Sequence, residues 1–323
     1  MRTGLGECRF ALFQPAAAET ALAEAVRIAA RTTGRNRLDH LQTRLRLARV
    51  IAGRGRSAEA LAELGAVLDL AQAPETADPF CALTALIELG NAQAEAGLVD
   101  AALATLERAV ARADELRPNA PQAALARERL GLALLAAHRA DDALAVVDRA
   151  EAIRRALGAP PDSPTWLAIA HVRVRADLQR QRWDAARSLL ERPEVWRGGA
   201  LRELPALRTR ILALQAAVGA ADLGAATGHV TALQAWADAQ APEDELPHLQ
   251  TDIDLAAGEL AWQRGQTAQA RACWERAQQR IERTALGPQA GWRMLCDTLA
   301  RCGQPPPTEP RFAGAPPHAA IPS

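Results

Sequence analysis

Six histidines are the first residues to weigh for chemistry: His40, His138, His171, His229, His248 and His318. No two stand one helical turn apart and no His-Glu-x-x-His occurs, so the spacing that grips zinc is missing. The cysteines, Cys8, Cys81, Cys273, Cys296 and Cys302, are odd in number and far apart, with no Cys-x-x-Cys pair. They read as reduced thiols, not as a metal or redox framework. All 38 basic residues are arginine. Without lysine there is no Walker A loop, no kinase ATP lysine and no Schiff-base chemistry. Gly-x-Ser-x-Gly and Gly-x-Gly-x-x-Gly are also missing. Asp141 with Asp142, and Asp252 with Asp254, read as carboxylates near the positive starts of helices. The expectation is a chain that is not an enzyme and has no metal site and no cofactor.

Tryptophan is the other residue type with something to offer. Trp183 and Trp274 sit at positions expected to pack between helices, whereas Trp262 falls where a side chain could meet a partner. Tryptophan supplies a disproportionate share of binding energy at interfaces.

The elements that position these residues follow from composition and period. The chain has 323 residues, equal numbers of acidic and basic groups, 49% hydrophobic residues, 3% aromatic residues and no tyrosine. That much apolar surface supports a core and argues against wholesale disorder. Zero net charge argues against a general nucleic-acid or anionic-membrane binder. Alanine and leucine dominate and β-branched residues are scarce, which disfavours an all-β fold. No apolar run is long enough to span a bilayer, and Glu7 and Arg9 interrupt any signal-peptide core, so a cytoplasmic location is expected.

A repeat runs through the sequence. LGNAQAEAGLVDAALATLERA (89–109), LGLALLAAHRADDALAVVDRA (130–150), AGELAWQRGQTAQARACWERA (257–277) and LGECRFALFQPAAAETALAEA (5–25) share one pattern. Each has an early small residue (Gly90, Gly131, Gly258, Gly6), then alanine twelve positions on (Ala102, Ala143, Ala270, Ala18). A large apolar residue follows (Leu106, Val147, Trp274, Leu22), then another small one (Ala109, Ala150, Ala277, Ala25). Weaker copies place Ala48 with Ala60 and Val174 with Ala186; a copy around 212–232 aligns Ala213 with Ala225. Prolines 74, 118, 160, 193, 242 and 288 punctuate the units and stop helices. Asp78-Pro79 and Ser163-Pro164 place a capping side chain before proline at the first helical position.

This pattern resembles the tetratricopeptide repeat, in which a Leu-Gly pair marks helix A, glycine marks the turn (here Gly97 and Gly265), and alanine, a large residue and alanine mark helix B. The seven small residues are spaced by 42, 42, 41, 43, 39 and 45, longer than the family's usual period. That spacing, and the loop LGAPPDSPTW at 157–166, resemble the kinesin-light-chain-like variant; arginine in place of lysine throughout suits a GC-rich bacterial genome. The resemblance implies an all-α, right-handed solenoid of about seven helix hairpins over residues 1–302, with QAGWRMLCDTLARC (289–302) as a capping helix. Residues 303–323 read as a disordered, proline-rich tail. Met1 falls inside the first helix A, so a further expectation is a C-terminal regulatory or sensory part of a bacterial serine/threonine kinase or transcription regulator.

In this family helix A side chains line a concave groove, at three before, one after and four after the small residue. Carried across, this gives a partner-binding groove that includes Arg49, Asn91, Glu128, His171, Arg175, Arg210, Glu259 and Trp262 among apolar neighbours. The resemblance implies a non-enzymatic scaffold holding an extended or helical peptide, or a protein, with hydrophobic anchors and some acidic groups. The lysine and asparagine clamp of the chaperone-binding subclass is not supported, since only Asn91 matches in type. Solenoids of this kind also pair through exposed repeat faces, so self-association is a further expected contact, whereas nucleic acid and membrane are not.

Overall fold

The computed structural model describes residues 14–31, 37–73, 77–160, 164–192, 195, 204–284 and 291–307. The first helix A, Ser163, and the greater part of the tail lie outside them. Within them the chain is all α-helical apart from turns. The helices are α1 (Pro15–Ala29), α2 (Arg37–Gly53), α3 (Ser57–Gln72), α4 (Pro79–Glu95), α5 (Val99–Leu116), α6 (Pro121–Ala136) and α7 (Ala140–Ala156). They continue as α8 (Pro164–Gln179), α9 (Trp183–Leu190), α10 (Leu204–Gly219), α11 (Leu223–Asp238), α12 (Pro247–Gln263), α13 (Thr267–Thr284) and α14 (Gly291–Arg301).

The hairpins α2–α3, α4–α5, α6–α7, α8–α9, α10–α11 and α12–α13 lean on one another in sequence. Each first helix also touches the first helix of the next hairpin, so α2, α4, α6, α8, α10 and α12 form an inner row. The two kinds of helix are written accordingly. Outer α13 buries one stripe, Ala270, Cys273, Trp274, Ala277 and Ile281. Inner α12 buries most of its length, because it meets neighbours on several sides. At α4, Asp78 accepts from the backbone N–H groups of Phe80 (3.0 Å) and Cys81 (2.8 Å), the cap expected there.

The turn between paired helices recurs with one geometry. A residue with positive φ donates its N–H three residues back, and the next N–H reaches five back, a Schellman ending. Gly97 bonds to Ala94 (3.1 Å) and Leu98 to Gln93 (2.8 Å); His138 and Arg139, Ala221 and Asp222, and Gly265 and Gln266 repeat it. Ala221 lies eight residues after Ala213, one more than elsewhere, so the sixth unit's register shifts by one. Leu214 and the fully buried Ala226, rather than Ala213 and Ala225, are its equivalents. Gly303 and Gln304 close α14 in the same way, which makes the capping helix the first half of a further unit. Trp292, Leu295 and Leu299 of α14 cover the end of the core beside Leu255, Trp274 and Ile281.

The row also returns on itself. Ser57 Oγ donates to the Thr284 carbonyl (3.1 Å), Ala16 N–H to Asp244 Oδ1 (3.1 Å), and Arg54 Nη2 to the Glu243 carbonyl (3.3 Å). A clasp thus joins the start of the described chain to the end of α13 and to the short 3₁₀ turn Pro242–Asp244.

Candidate functional site

Because the row curves and closes, its inner helices face one another across a concave interior. On α8 the inward stripe is Ala168, His171 and Arg175; on α6 it is Leu125, Arg129 and Leu132; on α4 it is Thr84, Glu88, Asn91 and Glu95. Each set follows the three- and four-residue steps of one helix face. Convergence is direct. Arg175 of α8 reaches to 3.7 Å from Asp252 of α12, two hairpins along. The Arg208 guanidinium on α10 interacts electrostatically with Glu95, Arg129, Arg175 and Asp252, which stand on four different inner helices.

The charges here are set by their surroundings. Burial and the adjacent Arg175 and Arg208 push the His171 imidazole down to about 3, so it is neutral at ordinary pH. Its Nε2 lies 2.8 Å from Thr209 Oγ1, and Thr209 donates its one hydroxyl hydrogen to the Pro205 carbonyl, so the ring carries its hydrogen on Nε2 and donates it to that hydroxyl oxygen. Burial raises the Asp252 carboxyl against the opposing pull of Arg175, His248 and Arg208. Burial and the two neighbouring arginines disfavour the Arg208 cation, although its side chain is exposed to water. This combination fits a residue in a concave space, wet but ringed by protein.

The structure distributes the sequence-derived groove residues unevenly. Arg49, Asn91, His171 and Arg175 lie on the inward side: Arg49 is 4.0 Å from Glu88, and Asn91 Nδ2 donates to Glu95 (3.1 Å). Glu128 lies beneath that surface, buried against Arg154 of α7 at 3.0 Å. Glu259 is held by both branches of Arg301 of α14, at 3.1 and 2.8 Å. Trp262 tilts against Trp274 with ring centroids 6.0 Å apart. The charge of Arg210 acts on His229 of α11. Asp252 and Asp254, read as lying near a helix start, both stand beyond the first turn of α12; Asp254 is buried and paired with Arg276 (2.5 Å) and with Arg280.

Arg129, Arg208, Glu95 and Asp252 are interior residues that the groove positions did not pick out. A signal for two of them was present. The position six before the small residue lies seven before the groove position one after it, hence on the same face, and it holds Asp252 and, in the corrected register, Arg208. Among the described residues no group of three or more His, Cys, Asp or Glu side chains could hold a metal ion. No described helix is long and apolar enough to cross a membrane.

No protein-family profile matches the chain, and no curated protein matches it. Solved structures do. A Rap protein complexed with competence and sporulation factor aligns with a TM-score of 0.66 at 13% identity, over 92% of this chain and 75% of that one. A putative kinesin light chain of Podosopora anserina, with nearly identical TPR-like repeats, is 25% identical over 59% of this chain and 90% of that one, with a TM-score of 0.44. A tetratricopeptide repeat protein from Parabacteroides merdae is 12% identical over 92% and 97%, with a TM-score of 0.48. The fold is an all-α, tetratricopeptide-like repeat solenoid.

Proposed function

We propose that the chain is a non-catalytic scaffold that takes a protein or peptide partner into the interior faced by α4, α6, α8, α10 and α12. The observation that carries this reading is the convergence of polar side chains from several hairpins on one concave space, with Arg175 and Asp252 approaching across two units. Peptides laid along such a surface meet alternating anchors and charges, which is how groove recognition gains specificity. The likeness in fold to a Rap protein solved with a bound factor supports it. Photo-crosslinking tests it. A crosslinking residue at Leu132, on the inward stripe, captures the partner in native cells, and one at Arg112, on outer helix α5, does not. Equal capture from both positions rejects the interior as the site.

A further inference from the structure

We infer that Arg129, Arg175 and Arg208 together form a receptor for the carboxylates of an acidic peptide segment; this rests on the interior reading above and specifies its partner. Three successive inner helices, α6, α8 and α10, each contribute one of these guanidiniums. None of the three makes a side-chain hydrogen bond within the described residues, and only Arg175 comes within 4.0 Å of a carboxylate, Asp252 at 3.7 Å. Several arginines elsewhere are paired. Arg127 Nη2 donates to both oxygens of Asp114 at 2.8 and 2.7 Å, Arg154 bonds Glu128 at 3.0 Å, and Arg301 forks onto Glu259 through Nε and Nη2. A guanidinium carries five donors in a planar fork and matches carboxylate geometry closely. Here, among the described residues, two guanidiniums have no acceptor and the third has only the 3.7 Å approach to Asp252, in a space that the solenoid wraps.

The charge balance points the same way. Around Arg208 stand two further cations, Arg129 and Arg175, and two carboxylates, Glu95 and Asp252; His248 acts on Asp252 from the same helix. Arg129 also feels Glu128, which Arg154 already pairs, so the two carboxylates left for the three guanidiniums are Glu95 and Asp252, and Arg129 and Arg175 both repel Arg208. An incoming carboxylate relieves that repulsion and supplies acceptors. Glu95 and Asp252 would in turn oppose a ligand as densely charged as nucleic acid. Leu125 and Leu132, on the same stripe of α6 as Arg129, give apolar contacts beside the cations, so an acidic segment with interspersed aliphatic residues fits.

The test uses the full chain and two blocked, labelled ten-residue peptides, one alternating leucine and glutamate, the other with glutamine in place of glutamate. The glutamate peptide should bind about tenfold or more tightly than its glutamine twin at low salt, as expected for charge-assisted bonds. Arg208→Gln and Arg129→Gln should each remove most of that difference. The melting temperature of the unliganded Arg208→Gln protein should stay level or rise, since a repelled charge is lost; a purely structural arginine would lower it. Equal binding of the two peptides overturns the carboxylate receptor and leaves the interior reading standing. Failure of both peptides to bind overturns the two together. Displacement of the glutamate peptide by equimolar inorganic phosphate shows a free oxyanion site and overturns the peptide assignment.

Discussion

The indole of Trp274 on α13 fills the place where a side chain on Gly258 of α12 would begin. A Cβ built on Gly258 would lie 2.6 Å from Trp274 Cδ1 and 3.0 Å from Cε2. Trp274 Nε1 is buried with no hydrogen-bond partner, so shape rather than polarity holds the ring there. The same device recurs where Leu106 lies over Gly90, with Cγ 2.5 Å from the missing Cβ. Gly258→Ala is therefore expected to cost about 1–3 kcal/mol, because a rigid ring in a filled core must move. Chemical denaturation measures it, and Gly258→Ala combined with Trp274→Leu should lose less than the sum of the two single changes.

The Glu128–Arg154 pair is buried between α6 and α7, with side chains 5% and 10% exposed. Burial pushes the Glu128 carboxyl up even beside its partner. Removing Arg154 alone leaves a buried carboxyl without its partner, so Arg154→Leu should cost about 3–5 kcal/mol. Glu128→Leu with Arg154→Leu should lose less than Arg154→Leu alone. A double-mutant cycle in urea decides it; a double variant as unstable as the sum would mean the pair contributes no coupling.

Stability should fall with acid in a way that His171 explains. Its folded pKa of about 3 lies below the unfolded value of about 6.5. The unfolded chain thus binds the proton first, and the stabilisation is complete above pH ~6.5 and shrinks as pH drops toward 3. The slope from this one group reaches about 1.4 kcal/mol per pH unit. His229, also lowered by burial, adds to it in the same direction. His171→Gln should flatten the dependence between pH 6 and 4 in thermal melts, and an unchanged slope would exclude His171 as its source.

The clasp between the two ends can be trapped. A Cβ on Gly55, which costs about 1–2 kcal/mol at its φ of 78, would lie 3.4 Å from Thr284 Cβ, close to disulfide separation. Gly55→Cys with Thr284→Cys should oxidise to a bridge spanning most of the chain and migrate faster on a non-reducing gel. Burial and neighbouring charge hold the native Cys81 and Cys302 thiols up at about 11, so they compete little at pH 8. No bridge under mild oxidant, in a double variant whose melting temperature stays within a few degrees of the parent, would mean the ends stand apart in solution.

Ala221 occupies the turn between α10 and α11 at φ 56, where four of the equivalent residues are glycine. Its Cβ costs about 1–2 kcal/mol in that conformation. Ala221→Gly should stabilise the protein by about 0.5–1 kcal/mol after the entropy glycine adds to the unfolded chain. A fall in melting temperature would contradict the turn geometry.

The residue pattern alone carried the architecture. Glycine or alanine at a fixed step from a buried alanine and a large apolar side chain specifies two helices pressed close, and repetition specifies a stack. It even located the turns, because the left-handed residue falls seven after the small one in five of the six hairpins described. The sixth went out of register because Ala213 and Leu214 are both buried and adjacent, and only the turn at Ala221 shows which one faces α11. What the sequence could not assign was the environment of each charge. Glu128 and Arg129 are neighbours in the chain, yet α7 takes the first into the core and leaves the second facing the interior. Asp252 and Arg175 lie far apart in sequence and meet because the stack curves. Helical period fixes which side chains share a face. The angle at which each hairpin leans on the last fixes what that face meets, and that angle is a sum of many side-chain contacts that no single unit contains.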